Sequence, residues 1–355
     1  MRIAWLVLSL IFISLPEITR SQEQPLPICR DDDKECATKA TQGHAVTKLD
    51  YWKHYFGKPV EQRIGAAPPE LVEYLNLDNI KSGFPNKPRS AALPPDLLLD
   101  VRNAIAELPP IVRHLLSAKL AGIYFIEDLG GTGYTEEIVD AHSNPAAGFV
   151  VLDTSVLSKR SANAWATWKE NTPFKTQPDI RLVAEIEKQR QNNRKNAIQY
   201  ILLHELGHVL SINEKFHPSW NIGPQDIPST AGYPYFLLSW SVAKKDNRFV
   251  TIFDDAFARR KDVVYYLDAK LSADQMVSVY DNLEKTNFTT LYSVTNPGDD
   301  FAEAFAGYVH TVLMKKPFEI RIYKNGKIAK IYKSCWTQKR CAEKRRILER
   351  FLNGT

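Results

Sequence analysis

Apolar residues in this chain recur at two different periods, and the change from one to the other marks its organisation. In "PPDLLLDVRNAIAEL" and "PPIVRHLLSAKL" they recur at helical spacing behind paired prolines, which pre-set the first turn. Helices are therefore predicted within 94–108 and 109–120. "AGIYFIED" and "AGFVVLD" are short apolar runs marked by glycine and read as strands, with "LGGTGYTEEIVDAHSNP" looping between them. A long helical stretch is predicted from about residue 179 through "EIEKQRQNNRKNAIQYILLHELGHVL", with a break near Asn192. A long insertion over 211–298 follows and carries an amphipathic helix at 272–284. A further helix starts in "PGDDFAEAFAGYVHTVL", and "IRIYKNGKIAKIYK" reads as a hairpin whose Asn325-Gly326 fits a two-residue turn. Residues 22–92, rich in proline and short polar stretches, predict an irregular segment with a few short helices.

The two ends of the chain change the picture by suggesting export. Residues 1–21 place Arg2 before an apolar run too short to span a bilayer, then Pro16 and the small residues Thr19 and Ser21, as in a secretory signal peptide. Nothing later is long and apolar enough to insert stably in a membrane. The four cysteines form two close pairs, Cys29 with Cys36 and Cys335 with Cys341, at spacings of seven and six residues. Two local disulfides are expected, because paired zinc cysteines lie about two to four residues apart. The net charge of +5 is spread along the chain, apart from a cluster at Lys344, Arg345 and Arg346 beside Glu343 and Glu349. That cluster reads as a solvated helix face, so no nucleic-acid partner is inferred. At 355 residues the chain divides on paper into the signal peptide, the 22–92 segment, a main domain over 93–315 and a C-terminal hairpin and helix over 316–355.

Chemistry enters with "HELGH" inside the apolar run "AIQYILLHELGHVL". In a helix, His204 and His208 share a face and can point at one metal ion, while Glu205 lies about 100° round, beside rather than among the ligands. That arrangement suits zinc hydrolysis with Glu205 as general base. A surface helix could carry the motif idly, but the apolar flanks argue for burial, and each unsatisfied buried polar group costs about 1–3 kcal/mol. Gly207 costs about 1 kcal/mol in a helix and so calls for a packing reason.

A catalytic zinc takes three protein ligands and keeps one position open. The metzincin spacing fails, since Ser211 and Glu214 stand where a glycine and a histidine are needed. His217 has the wrong spacing. Glu303 in "DDFAEAFAGYVH" is the third-ligand candidate, set among small residues that allow close helix approach, with His310 in reserve. Asp300 and Glu303 also fit a helix-capping box, which would give the glutamate a purely structural role.

"HELGH" followed at a distance by "DDFAEAFA" resembles the gluzincin metallopeptidases, and more loosely the branch holding the anthrax lethal factor catalytic domain and the Pro-Pro endopeptidases. The resemblance covers about 147–313. It implies that His204, His208 and Glu303 hold Zn2+ with Glu205 as base. The implied fold is α+β and zincin-like: a small mixed sheet packed on the motif helix, a cleft, and a mainly helical C-terminal part. Thermolysin-like members carry an aspartate where this chain has Gly307, so Asp299 or Asp300 is the candidate to orient a histidine from outside.

Tyr292 is the candidate oxyanion stabiliser, with ordinary packing as the alternative, and Tyr308 is placed to turn away. "GFVVLD" is either an edge strand that could pair with an extended substrate or an interior strand. Trp165, Trp168 and Phe174 line a substrate pocket or form a satellite cluster. The leading expectation is a secreted or periplasmic zinc endopeptidase acting on protein or peptide. The alternative is a zinc-binding protein without proteolysis, structural, adhesive or inhibitory, in which a base beside the ligands would have no use. The segment 22–92 could also cover the cleft as in a zymogen, and "NFT" at Asn287 is a glycosylation sequon.

Overall fold

The computed structural model describes residues 29–158 and 160–354. The proline-led helices form as expected, Pro95–Ala106 and Pro110–Lys119, each with proline in its first turn. They pack with the motif helix on one face of a mixed sheet of five strands: β1 (Ile64–Ala66), β2 (Arg89–Ser90), β3 (Leu120–Glu127), β4 (Gly133–Val139) and β5 (Pro145–Asp153). The order is β1-β3-β5-β4, with β2 also paired to β3. β1, β3 and β5 run parallel, and β2 and β4 run against their neighbours.

Both faces of this sheet are covered, which is why its central strands read as unbroken apolar runs. Ile123, Phe125, Val150 and Leu152 face the main core with Ile198, Leu202 and Leu206 of the motif helix, Arg194–Ser211. Tyr124, Ile126, Phe149 and Val151 face a second core built on Trp52, Leu71 and Tyr74. The second core comes from the segment expected to be irregular. From residue 34 that segment carries the helices Lys34–Gln42, Leu49–Phe56 and Pro69–Ser82, and it supplies β1 and β2. The fold class is thus α+β with a small mixed sheet.

One open alternative is decided and two expectations change. "GFVVLD" lies in β5, an interior strand between β3 and β4. The edge is β4, formed from the stretch read as a loop. The stretch from residue 179 begins as a strand, Ile180–Glu185, and the motif helix starts only at Arg194. That strand pairs with Glu319–Lys324, which pairs in turn with Lys327–Lys333. The last two strands are the expected hairpin, turned through Asn325 and Gly326 at φ 50° and 74°.

The disulfides Cys29–Cys36 and Cys335–Cys341 are both present. The basic cluster near the C-terminus divides. Arg345 and Arg346 pair with Glu349 and Glu343 along the helix Ala342–Asn353, but Lys344 is fully buried against Asp300, 44 residues away. Asn287 turns its amide inward, donating to Leu238 O and accepting from Ser239, so the sequon is engaged in the fold. Among the described residues no helix is long and apolar enough to cross a membrane. The signal-peptide reading falls on residues outside those described.

Candidate metal centre and cleft

Three elements converge on the motif, and two glycines set how closely. A Cβ at Gly207 would lie 2.9 Å from Ala302 Cα, so only glycine lets the motif helix meet the helix Pro297–Tyr308 at this distance. On the other side, a Cβ at Gly133 would fall 2.5 Å from Glu205 Oε1, so the edge strand β4 can pass directly beside the glutamate. Gly207 therefore has the packing reason its place in a helix demanded.

The site is best read atom by atom. His204 Nε2 and His208 Nε2 are 3.3 Å apart. Asp299 Oδ1 lies 3.6 Å from the first and 3.3 Å from the second. Among the described residues this is the group of three whose donor atoms could share one ion. A tetrahedral zinc with bonds of about 2.0–2.1 Å needs ligand atoms about 3.3–3.4 Å apart, so the donors fit in kind and in spacing. Asp299 is fixed for this role by its other oxygen. Thr295 Oγ1 and Asn296 Nδ2 donate to Oδ2 at 2.8 and 2.5 Å, leaving Oδ1 to the histidines.

Glu303, expected as the third ligand, does not join this group of donors. Its Oε1 lies 2.9 Å from Nδ1 of His204, on the ring edge opposite the donor cluster. The same oxygen accepts from Lys169 Nζ at 2.8 Å, and Oε2 accepts from Thr290 Oγ1 at 2.6 Å. Asp299 thus faces the two histidine Nε2 atoms, and Glu303 lies behind the His204 ring at ion-pair distance. The capping-box alternative fails too. The helix is capped by Asn296, which accepts from Asp299 N, while Asp300 is buried with Lys344 and Trp240.

Electrostatics follow from this arrangement. Burial works against a charged His204, but Asp299 and Glu303 outweigh it and hold its pKa up at about 10. Burial would raise Glu303, yet Lys169 and His204 hold it down at about 2. Burial would likewise raise Asp299, and hydrogen bonds from His204 and His208 keep it well below the usual carboxylate range. Two carboxylates therefore remain ionised around the imidazoles, a field suited to a cation.

Glu205 is held by Thr135 of β4, whose Oγ1 donates to Oε2 at 2.7 Å. Tyr292 sits with its ring 5.4 Å from that of His204 and beneath the Lys169 ammonium, and burial pushes its phenol pKa up. Tyr308 turns away to Glu349. His217 and His310 lie outside the site: each is buried with a ring nitrogen 2.8 Å from a backbone carbonyl, Pro218 and Ile186 respectively. Two cavities of about 370 and 260 Å³ meet at the motif, sharing Gly133, Tyr134, His204, Glu205 and Tyr292. Trp165 lines the larger, Trp168 lines a neighbouring cavity, and Phe174 belongs to the core.

Sequence reasoning missed Asp299 as a donor, and it missed Thr135 and Lys169 altogether. One signal was available: Asp299 and Glu303 are four residues apart, so a helix puts both on the face that meets His204. No protein-family model, curated protein or solved structure matches the chain.

Proposed function

We propose that the chain is an exported zinc-dependent endopeptidase with a zincin-like arrangement, in which His204, His208 and Asp299 hold the metal and Glu205 is the general base. The observation that carries this reading is the meeting of Nε2, Nε2 and Oδ1 at tetrahedral spacing beside a carboxylate, in the angle between a cleft and an edge strand. The two disulfides are compatible with export.

Zinc at such a site supplies Lewis acidity. The chain's own residues do the rest. Thr135 occupies Oε2 of Glu205, so Oε1 is the oxygen free to take a proton from water attacking the peptide carbonyl. The C–N bond then breaks, and the same proton passes to the leaving amine. Glu303, with Oε1 2.9 Å from Nδ1, places its charge behind the His204 ring on the side away from the donors. Tyr292, which lines both cavities, is the donor for the developing oxyanion. β4 offers its edge to an extended peptide, aligning it across the site by backbone pairing.

The test is metal content by mass spectrometry with casein cleavage on the same samples. Wild type is expected to hold one zinc and cleave. Glu205→Gln should retain zinc and lose about 10²–10⁴-fold in rate, the contribution of a general base. Asp299→Ala should lose the metal. Wild type free of zinc, or zinc retained by Asp299→Ala, sinks the assignment.

A further inference from the structure

The larger cavity bears on which peptides the site would take, and the motif helix shares its walls with segments distant in sequence, among them residues 78–84 and 265–267. Trp165, Ile201, Tyr265 and Tyr266 form an aromatic and aliphatic interior beside Glu205. The rim carries Phe84 and Leu267, which are 40% and 59% exposed although both are large and apolar. Away from the motif, the charged groups in the wall are already partnered, Asp78 with Lys81 at 3.0 Å and Lys169 with Glu303 at 2.8 Å, and the motif itself contributes His204 and Glu205. An acidic side chain entering the cavity would lose hydration and meet the Glu205 carboxylate, and deeper in it would face only apolar and aromatic walls.

Both rims are held in place. The helix Pro69–Ser82 ends at Gly83, at φ 81°, which turns Phe84 outward. Asn79 ties this turn to the sheet by donating to Leu129 O and Asn86 O, and Asn86 donates to Asp128. Opposite, Tyr266 holds φ 64°, a conformation a bulky residue adopts only under the control of its surroundings, and its ring packs 5.6 Å from Trp168. Fixed walls, an apolar interior and apolar rims next to the proposed base are the attributes of a side-chain subsite.

We infer that this cavity binds one bulky, uncharged apolar or aromatic side chain of the substrate, immediately beside the bond that is cut. Residues 78–84 then form a permanent wall of the specificity pocket, not a cover to be removed. This inference rests on the peptidase reading, and its test separates the two.

Peptides differing at one position, Phe, Leu, Ala or Asp, are cleaved by wild type, Phe84→Asp and Leu267→Asp. Both substitutions fall at exposed positions and leave the core intact. In parallel, binding of N-acetyl-phenylalaninamide is followed by NMR, with no requirement for turnover. The expected result is a kcat/KM for Phe or Leu about 10–100-fold above Ala at one position flanking the cut, the worth of one large apolar side chain. Asp should be worst, and the ratio should shrink in both variants. Cleavage without that preference, or with a ratio unmoved by both variants, overturns the pocket and leaves the peptidase reading intact. Amide binding that weakens in both variants, with no peptide cleaved, upholds the pocket and removes the peptidase reading.

Discussion

His204 carries the sharpest consequence at the scale of single residues. Without metal its pKa of about 10 leaves it protonated at neutral pH, and a metal can bind only the neutral ring. Zinc binding at pH 8 should therefore release at least the His204 proton, read as a dependence of the calorimetric heat on buffer ionisation enthalpy. A heat independent of buffer contradicts this. Glu303→Gln should weaken zinc about 10–100-fold without abolishing it, the usual cost of losing a partner behind a histidine ligand, as checked by chelator competition. Complete loss would return Glu303 to the ligand set. His310 gives a stability prediction away from the site. Burial, aided by Lys316, lowers its pKa to about 4, against about 6.5 when unfolded. Above pH 6.5 both states are neutral and nothing is gained or lost. As pH falls from 6.5 to 4 the unfolded chain binds the proton first, so the fold loses about 3 kcal/mol. Urea midpoints between pH 7 and 4.5 should fall less steeply for His310→Gln than for wild type; parallel curves would exclude this role.

Among the elements, the crossing of the motif helix with the helix Pro297–Tyr308 controls the site. Gly207→Ala adds about 1 kcal/mol of helix propensity, but its methyl would meet Ala302 Cα at 2.9 Å. Overpacking of that kind costs about 1–3 kcal/mol, so the net expectation is destabilisation together with weaker zinc binding, measured by thermal unfolding and metal titration. The same contrast explains what was legible in the sequence. Helices announced by paired prolines, the hairpin with Asn325-Gly326 and the "HELGH" face could be read because their signals lie within a few residues. β4 could not, because its polar residues are used across the fold. Glu136 accepts from Tyr74 and Tyr134, and Glu137 from Ser219 and Asn221, so no apolar alternation marks the strand. The strand Ile180–Glu185 alternates Ile180, Leu182, Ala184, but the charged residues after it suggested a helix. Asp299 was legible as a neighbour of the site and not as a donor, since only the crossing angle decides which carboxylate faces the rings.

For the molecule as a whole, Lys344 and Asp300 tie the C-terminal helix to the back of the site. Both are fully buried and 2.5 Å apart. Lys344→Met should cost about 3–5 kcal/mol in chemical denaturation by leaving a buried carboxylate unpaired, and adding Asp300→Leu should recover part of that. A single variant as stable as wild type would show the pair to be idle. The C-terminal elements also carry a consequence for how the chain acquires its site. The strand Glu319–Lys324 slots between Ile180–Glu185 and Lys327–Lys333, and Lys344 completes the helix that bears Asp299. Pairings over such separations are slow to form, because loop-closure entropy is lost before any contact is gained. A nascent chain that has emerged only as far as the second site helix lacks the strand and the lysine that hold that helix in place. The spacing of the three donors thus depends on segments that contribute none of them, so loosening the strand Glu319–Lys324 or the Lys344 contact should disturb the cluster from a distance.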